Sequence, residues 1–233
     1  FNLNFKKIML LSINYLMNNL MNIHNGVYFP ADNKSFVIKA LIKDRIWEKP
    51  ITKLIQLIKH NDNAIALDIG SYIGTHSQTM IDCGFTVHAF EPQSLVYECL
   101  KKTAESKLNG ITIHNNFVSN TCDESIDFVT DNDGDARARQ FTNSRRVWKD
   151  SYKVTTVCID SFNFENVRLM KIDVEGAELL VLKGSEATIS RHRPVIIIES
   201  FNSPRKRTNL FQFFDNLKYS LIPINSTNFL CLP

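Results

Sequence analysis

The stretch DIGSYIG, from Asp68 to Gly74, decides the fold of this chain. It follows directly on a short apolar run at residues 64–67 and precedes a segment of helical character at residues 74–83. Two glycines placed between a strand and a helix permit a tight turn and a close approach of the backbone to a ligand. The middle glycine of a dinucleotide-binding loop is missing, and the sequence contains no G-x-x-x-x-G-K-[ST] phosphate loop. The stretch therefore predicts the first strand, loop and helix of a ligand-binding α/β sheet.

The alternation of apolar runs with helical segments continues beyond this loop, which is typical of βαβ units in a parallel sheet. Further strands of this sheet are predicted at residues 85–90, 111–114, 168–172 and 195–198. Between the third and fourth strands the pattern indicates two short strands, at 125–130 and 153–159, and after the last one a helix at 211–217 and a hairpin at 219–232. We expect an α/β, Rossmann-like fold with a mostly parallel central sheet flanked by helices and a C-terminal antiparallel hairpin.

Four carboxylates stand directly at the ends of predicted parallel strands, namely Asp68, Glu91, Asp173 and Glu199. In open α/β sheets, ligands bind outside the carboxyl ends of the strands near the point where the strand order reverses. Acidic residues also favour helix starts, where they meet the positive end of the helix dipole, and this reading could account for any one of the four. Because glycines stand in a recognisable order beside them, we expect the four carboxylates to line one crevice.

Several motifs together carry a resemblance to a known family. KIDVEGAELLVLKG at residues 171–184, RPVIIIES at 193–200, FEP at 90–92 and DIGSYIG resemble the FkbM family of methyltransferases, over about residues 64–199. The resemblance implies a class I methyltransferase fold, S-adenosylmethionine as the methyl donor, S-adenosylhomocysteine as the product, and a hydroxyl acceptor, often on a sugar or polyketide. The chain departs from the family at Ser71-Tyr72, where Ala-Asn is common, and in its basic insertion around residues 137–146.

The donor site is expected around the first loop and the ends of the neighbouring strands. Glu91 is placed to accept hydrogen bonds from both ribose hydroxyls of an adenosyl ligand. The full set of expected donor-binding residues is Asp68, Gly70, Ser71, Tyr72, Gly74, Glu91, Asn116 and Asp173.

Methyl transfer to oxygen needs an aligned acceptor hydroxyl and a group that takes its proton. Asp173 is the first candidate for the base, because it ends the central strand, although it could equally bind the donor or cap the next helix. His76, in the first turn after the donor loop, and Glu175 are the alternatives. Glu199, Arg137 and Arg139 are candidates for acceptor contacts, the arginines because guanidinium groups make forked hydrogen bonds.

A divalent metal is expected to be dispensable. A side chain can remove the proton, and no His-rich cluster is available to hold a transition metal. Asp173, Glu175 and Glu199 could nevertheless offer oxygen ligands to Mg²⁺ or Mn²⁺, so the metal question stays open.

The composition limits the classes of partner and the environment that we expect for this chain. The 233 residues carry 27 basic and 24 acidic side chains, a balance that does not favour a nucleic-acid partner. The apolar stretch at residues 8–23 is short and interrupted by asparagines, so it predicts an amphipathic helix and not a membrane span. The five scattered cysteines predict neither a metal site nor a disulfide framework, which favours a reducing, cytoplasmic environment.

We expect a helical appendage over residues 1–60 and a methyltransferase domain over residues 61–233. The start at Phe1 and the Asn- and Ile-rich composition would suit one part of a larger glycan-building protein, covalently linked to other enzyme domains, such as those of large DNA viruses. The favoured function is O-methylation of a carbohydrate by S-adenosylmethionine. The alternatives are O-methylation of RNA ribose or of a small phenol, and a domain that has lost catalysis and serves in binding or assembly.

Overall fold

The fold is described from a computed structural model of the chain. The structure describes residues 20–31, 35–58, 60, 62–130, 136–138, 150–200 and 204–233, with backbone only at 136–138 and 204–206. Its strands are β1 (Met21–His24), β2 (Val27–Pro30), β3 (Ile65–Ile69), β4 (Thr86–Phe90), β5 (Ile111–His114), β6 (Phe117–Val118), β7 (Ser125–Thr130), β8 (Ala136–Ala138), β9 (Asp150–Val157), β10 (Val167–Ile172), β11 (Val195–Glu199), β12 (Ser220–Pro223) and β13 (Asn228–Leu232). Its α-helices are α1 (Phe36–Ile42), α2 (Lys49–Leu57), α3 (Thr75–Asp82), α4 (Ser94–Lys107), α5 (Glu178–Lys183), α6 (Glu186–His192) and α7 (Pro204–Asn216), and a 3-10 turn spans Ile159–Phe162.

The central sheet has seven strands in the order β12-β13-β11-β10-β3-β4-β5. Strands β11, β10, β3, β4 and β5 are parallel, whereas β13 pairs antiparallel with both β11 and β12. The predicted α/β fold with a mostly parallel sheet and a C-terminal hairpin is therefore confirmed. After β3 the chain adds β4 and β5 on one side of β3, and it then crosses back to form β10 on the other side. The strand order therefore reverses between β3 and β10.

The central strands of the sheet are buried on both faces, which explains their nearly continuous apolar runs. In β11, Ile196 and Ile198 pack into the core on one face and Ile197 into the core on the other. In β10, Met170 packs on the same face as Ile196 and Ile198, and Leu169 packs on the same face as Ile197. All five side chains are fully buried, so the cores on the two faces fix the position and register of the central strands.

The two short strands predicted in the insertion are also present. β7 pairs antiparallel with β9, and together with β6 and β8 they form a small second sheet. A disulfide joins Cys122, before β7, to Cys158, after β9. The expectation that the cysteines stay unpaired is wrong for these two, because pairing β7 with β9 brings residues 36 positions apart in sequence side by side. The cysteine pattern therefore gives no support to the predicted reducing, cytoplasmic environment.

The amphipathic helix predicted over residues 8–23 is wrong at its C-terminal end, because Met21–His24 form a strand. This strand pairs with β2 across Asn25-Gly26, whose φ angles are 49° and 79°. Two residues with positive φ make the turn that best matches the twist of a hairpin, and Asn-Gly is its commonest sequence. Residues 1–19 lie outside the described residues.

The hairpin leads into α1 and α2 and packs on α4, where the Tyr28 amide donates to Thr103 Oγ1 at 2.9 Å. In the described part of the chain, no helix has the length and apolar character needed to cross a bilayer.

Candidate functional site

A cavity of about 460 Å³ lies at the carboxyl ends of β3, β4, β10 and β11, where the strand order reverses. Its floor is formed by the residues that end these strands or follow them, among them Gly70, Glu91, Asp173 and Glu199. One part of its wall comes from Asn116 and the small second sheet, and another part from residues 35–37, 47 and 48. The volume lies within the range of about 300 to 1,000 Å³ that is usual for small-molecule sites.

The loop after β3 approaches the end of β10 so closely that only glycine fits at its start. A Cβ atom on Gly70 would lie 1.8 Å from the carbonyl oxygen of Asp173, and the Gly70 φ angle is +81°. The Asp173 amide in turn donates to the carbonyl of Ile69 at 2.9 Å. Gly70 therefore keeps β3 and β10 together where the cavity begins.

Glu91 lines the cavity at the end of β4, and its carboxylate holds the backbone at two places. One carboxylate oxygen accepts from the Tyr72 amide at 2.9 Å, and the other accepts from the Gln93 amide at 2.8 Å. The residue is only 6% exposed, and this burial raises the pKa of Glu91 to about 7, although the two amides favour its ionised form. Each oxygen keeps a further lone pair with which it can bind a ligand.

Three of the expected donor-binding residues do not line the cavity. Asp68 is buried beneath the loop, where one oxygen accepts from Ser77 Oγ at 2.6 Å. Ser71 donates to the Phe90 carbonyl at 3.4 Å, and Gly74 begins α3 with a φ angle of +84°. These residues shape the loop, whereas Gly70, Tyr72, Glu91, Asn116 and Asp173 line the cavity itself.

The end of β10 carries a buried ion pair. Lys171 Nζ lies 2.9 Å from Asp173 Oδ2, and Glu199 on the neighbouring strand makes a second hydrogen bond to Asp173. Burial alone would raise the pKa of Asp173, but Lys171 and the bond from Glu199 lower it below its ordinary value. Burial and the negative charge of Asp173 raise the pKa of Glu199 to about 9. The two carboxyl groups therefore share one proton at neutral pH, and the directions of the two pKa shifts favour its place on Glu199.

Glu175 completes an acidic group with these two residues. Carboxylate oxygens of Asp173, Glu175 and Glu199 lie within 4.8 Å of one another, close enough to share one cation. Glu175 has a φ angle of 53°, and the following Gly176 has one of 107°, so the backbone turns sharply after Asp173. This turn brings the Glu175 side chain to the cavity that Asp173 and Glu199 also line.

His76 lies behind the wall of the cavity and does not line it. It is 5% exposed, and its Nε2 atom lies 3.0 Å from Glu48 Oε2. Glu48 itself lines the cavity, together with Trp47 and Phe36. Sequence reasoning missed these three residues, because none of them ends a predicted strand or belongs to a motif.

The basic candidates for acceptor contacts fall at the edge of what is described. Arg137 lies on β8, whose backbone alone is described, and Arg139 lies outside the described residues. Their proposed contacts with the acceptor therefore stay predictions.

Residues 68–221 of this chain match the family model of the methyltransferase FkbM domain. The crystal structure of methyltransferase FkbM from Methylobacillus flagellatus KT aligns with a TM-score of 0.55 at 19% identity, covering 75% of this chain and 45% of that one. This chain thus spans less than half of that protein's length.

Two further solved structures align less closely. Ribosomal protein L11 methylase from Lactobacillus delbrueckii subsp. bulgaricus gives a TM-score of 0.48 at 8% identity, covering 78% of this chain and 76% of that one. The Pyrococcus abyssi tRNA (uracil-54, C5)-methyltransferase, solved with S-adenosyl-L-homocysteine, gives 0.41 at 12% identity, covering 78% and 36%. No curated protein matches the chain in sequence.

Proposed function

Because the chain belongs to the methyltransferase FkbM family, we propose that it transfers a methyl group from S-adenosylmethionine to a hydroxyl group of a carbohydrate. The donor lies over the loop from Gly70 to Tyr72, with its ribose hydroxyls on Glu91 and its reactive sulfonium near Asp173. This placement is supported by the presence of Gly70 and Tyr72 in the cavity lining and by the lone pairs that Glu91 keeps for a ligand.

The charge of the cavity carries the proposal for the acceptor. Among the described residues that line it, five are acidic, of which Asp173 and Glu199 share one proton at neutral pH, and none is a lysine, arginine or histidine. The carboxylates are Glu48, Glu91, Asp173, Glu175 and Glu199. A phosphate-rich acceptor such as RNA would be repelled, because nucleic-acid sites depend on basic side chains. A neutral sugar instead offers several hydroxyl donors to carboxylate acceptors and an apolar ring face to aromatic side chains.

The reaction is a displacement at the sulfonium methyl. The acceptor oxygen forms a bond to the methyl carbon as the bond from carbon to sulfur breaks, and the acceptor proton passes to a carboxylate. Alignment supplies up to about 7 to 11 kcal/mol, whereas a general base contributes about 10²- to 10⁴-fold. Asp173 takes the proton in this proposal, because it is ionised and ends the central strand. Its lowered pKa is tolerable, since the hydroxyl becomes strongly acidic as it is methylated. Glu175 is the alternative.

The test is transfer of an isotope-labelled methyl group from S-adenosylmethionine to a library of neutral, amine-bearing and acidic glycans, followed by mass spectrometry. RNA and catechols are included, because methylation of either in place of glycans would contradict the proposal. Donor binding without transfer to any acceptor would favour a binding module. Asp173→Asn should lower turnover by about 10²-fold while donor affinity stays close to that of the unaltered protein. Transfer should persist in chelator, since we propose that no divalent metal is essential.

A further inference from the structure

Glu48 lines the cavity and lies outside residues 68–221, which match the family model. It belongs to the part of the wall made by residues 35–37, 47 and 48. The Glu48 side chain is 20% exposed, so part of its carboxylate is open to the cavity.

Two buried side chains from distant elements hold this carboxylate. His76 Nε2, on α3, lies 3.0 Å from Glu48 Oε2, and Asn228 Nδ2, on β13, donates to Glu48 Oε1 at 3.4 Å. His76 is 5% exposed and Asn228 is 4% exposed. A carboxylate has about four lone-pair positions, so Glu48 can accept further hydrogen bonds from the cavity while both partners hold it.

The backbone at Glu48 is unusual for a residue with a side chain. Its φ and ψ angles are 41° and 56°, in the left-handed region, at the residue that precedes α2. A residue at this position normally turns its side chain onto the first amides of the helix, but Glu48 makes no such bond. The side chain reaches His76 and the cavity instead. Backbone strain kept without local benefit is common at functional sites.

Glu48 also lies near the ion pair at the end of β10. Burial alone would lower the pKa of Lys171, but the nearby carboxylates of Asp173, Asp68 and Glu48 raise it, so Glu48 lies within electrostatic reach of Lys171 at the carboxyl end of β10. Trp47 lines the cavity beside Glu48, and Phe36, which is 75% exposed, stands in the same wall. This wall thus combines a fixed hydrogen-bond acceptor with two aromatic side chains.

We propose that Glu48 binds and orients a hydroxyl of the methyl acceptor, and that His76 is the positioning residue that holds Glu48 in place. The inference rests on the proposed methyl transfer, and it assigns acceptor recognition to a segment outside the matched domain. It also gives His76 a part that involves no contact with the acceptor.

The experiment uses whichever compound the full chain methylates in the mixed library of glycans, RNA and catechols. Glu48→Gln should raise the acceptor KM at least about tenfold, as expected when a hydrogen bond to a charged group is lost. Its affinity for S-adenosylhomocysteine and its melting temperature should match those of the unaltered chain. Glu105→Gln, which alters an exposed glutamate on α4, is the matched control and should leave KM unchanged.

His76 is tested through the same readout. His76→Ala should raise the acceptor KM as Glu48→Gln does. His76→Gln should raise it less, because the glutamine amide can still donate a hydrogen bond to Glu48. The double variant His76→Ala with Glu48→Gln should have a KM no higher than that of Glu48→Gln alone, since both changes remove the same interaction.

The possible results separate the two proposals. An unchanged KM in folded Glu48→Gln would overturn the role of Glu48 and leave methyl transfer standing. A raised KM with a non-carbohydrate acceptor would support Glu48 and overturn the carbohydrate assignment. Absence of transfer to every compound would overturn both.

Discussion

Lys171 and Asp173 form an ion pair of 2.9 Å beneath the cavity, with the lysine side chain 4% exposed and the aspartate 27% exposed. They are two residues apart at the end of β10, so both side chains leave the strand on the same face. Burial makes each charge costly unless the other is present. The pair therefore anchors an ionised Asp173 where the proposed reaction occurs.

Lys171→Met is expected to lower the free energy of unfolding by about 2 to 4 kcal/mol, because Asp173 would lose the partner of a largely buried charge. Urea unfolding measures the change. Lys153→Met is the control, since Lys153 and Asp127 lie 3.0 Å apart but are 65% and 44% exposed, and such pairs contribute about 0 to 1 kcal/mol. Equal losses in the two variants would show that burial of the pair is unimportant.

Glu199 should make stability fall as the solution becomes alkaline. Burial, then the charge of Asp173, raises the pKa of Glu199 from its ordinary value of 4.5 to about 9. Between these values the folded chain binds a proton that the unfolded chain has lost. The contribution is thus complete below pH 4.5 and is lost as the pH rises through about 9.

Glu199→Gln does not titrate and can still donate to Asp173, so the free energy of unfolding should decline less between pH 6 and pH 9 than in the unaltered chain. Urea unfolding at several pH values measures this slope. Glu186→Gln, at an exposed glutamate of α6, should keep the full decline. The assignment fails if both variants follow the unaltered curve.

Glu91 should make donor affinity depend on pH. Burial raises the pKa of Glu91 to about 7, and the ionised carboxylate is the better acceptor for ribose hydroxyls. Binding of S-adenosylhomocysteine should therefore tighten by up to about tenfold between pH 6 and pH 8, as the carboxylate becomes ionised. Calorimetry measures the affinity, and Glu91→Gln should bind more weakly with little pH dependence. A slope that survives in Glu91→Gln would place the titrating group elsewhere.

Gly70→Ala tests the contact between the donor loop and β10. The new Cβ would lie 1.8 Å from the Asp173 carbonyl oxygen, in addition to the strain of a φ angle of +81°. We expect a loss of about 3 kcal/mol or more in the free energy of unfolding. Gly110→Ala separates the two effects, because its φ angle is +86° but nothing lies within 4 Å of the new atom. It should cost only about 1 to 2 kcal/mol.

The parallel sheet and the residues at its carboxyl edge could be predicted because they depend on local patterns. Each of the runs that end at Asp68, Glu91, Asp173 and Glu199 is apolar because both faces of the sheet are buried. The turn at Asn25-Gly26 also has a local signal, since Asn-Gly is the commonest sequence of such a turn, but the apolar stretch before it predicted a helix.

What could not be predicted depends on contacts between distant residues. The Glu48 side chain is held by His76, 28 residues away in sequence, and by Asn228, 180 residues away. The Cys122–Cys158 disulfide likewise follows from the pairing of β7 with β9. No spacing within the sequence marks any of these contacts.

The bond between Asn228 and Glu48 has a consequence for how the chain folds. It closes a loop of 180 residues, whereas the donor loop and Glu91 are brought together over about 20 residues by one βαβ unit. Closing a longer loop costs more chain entropy, and contacts of high sequence separation slow folding. We therefore expect the donor half of the cavity to form early, from neighbouring parts of the chain, and the wall that holds Glu48 to be secured only when the last strand has docked.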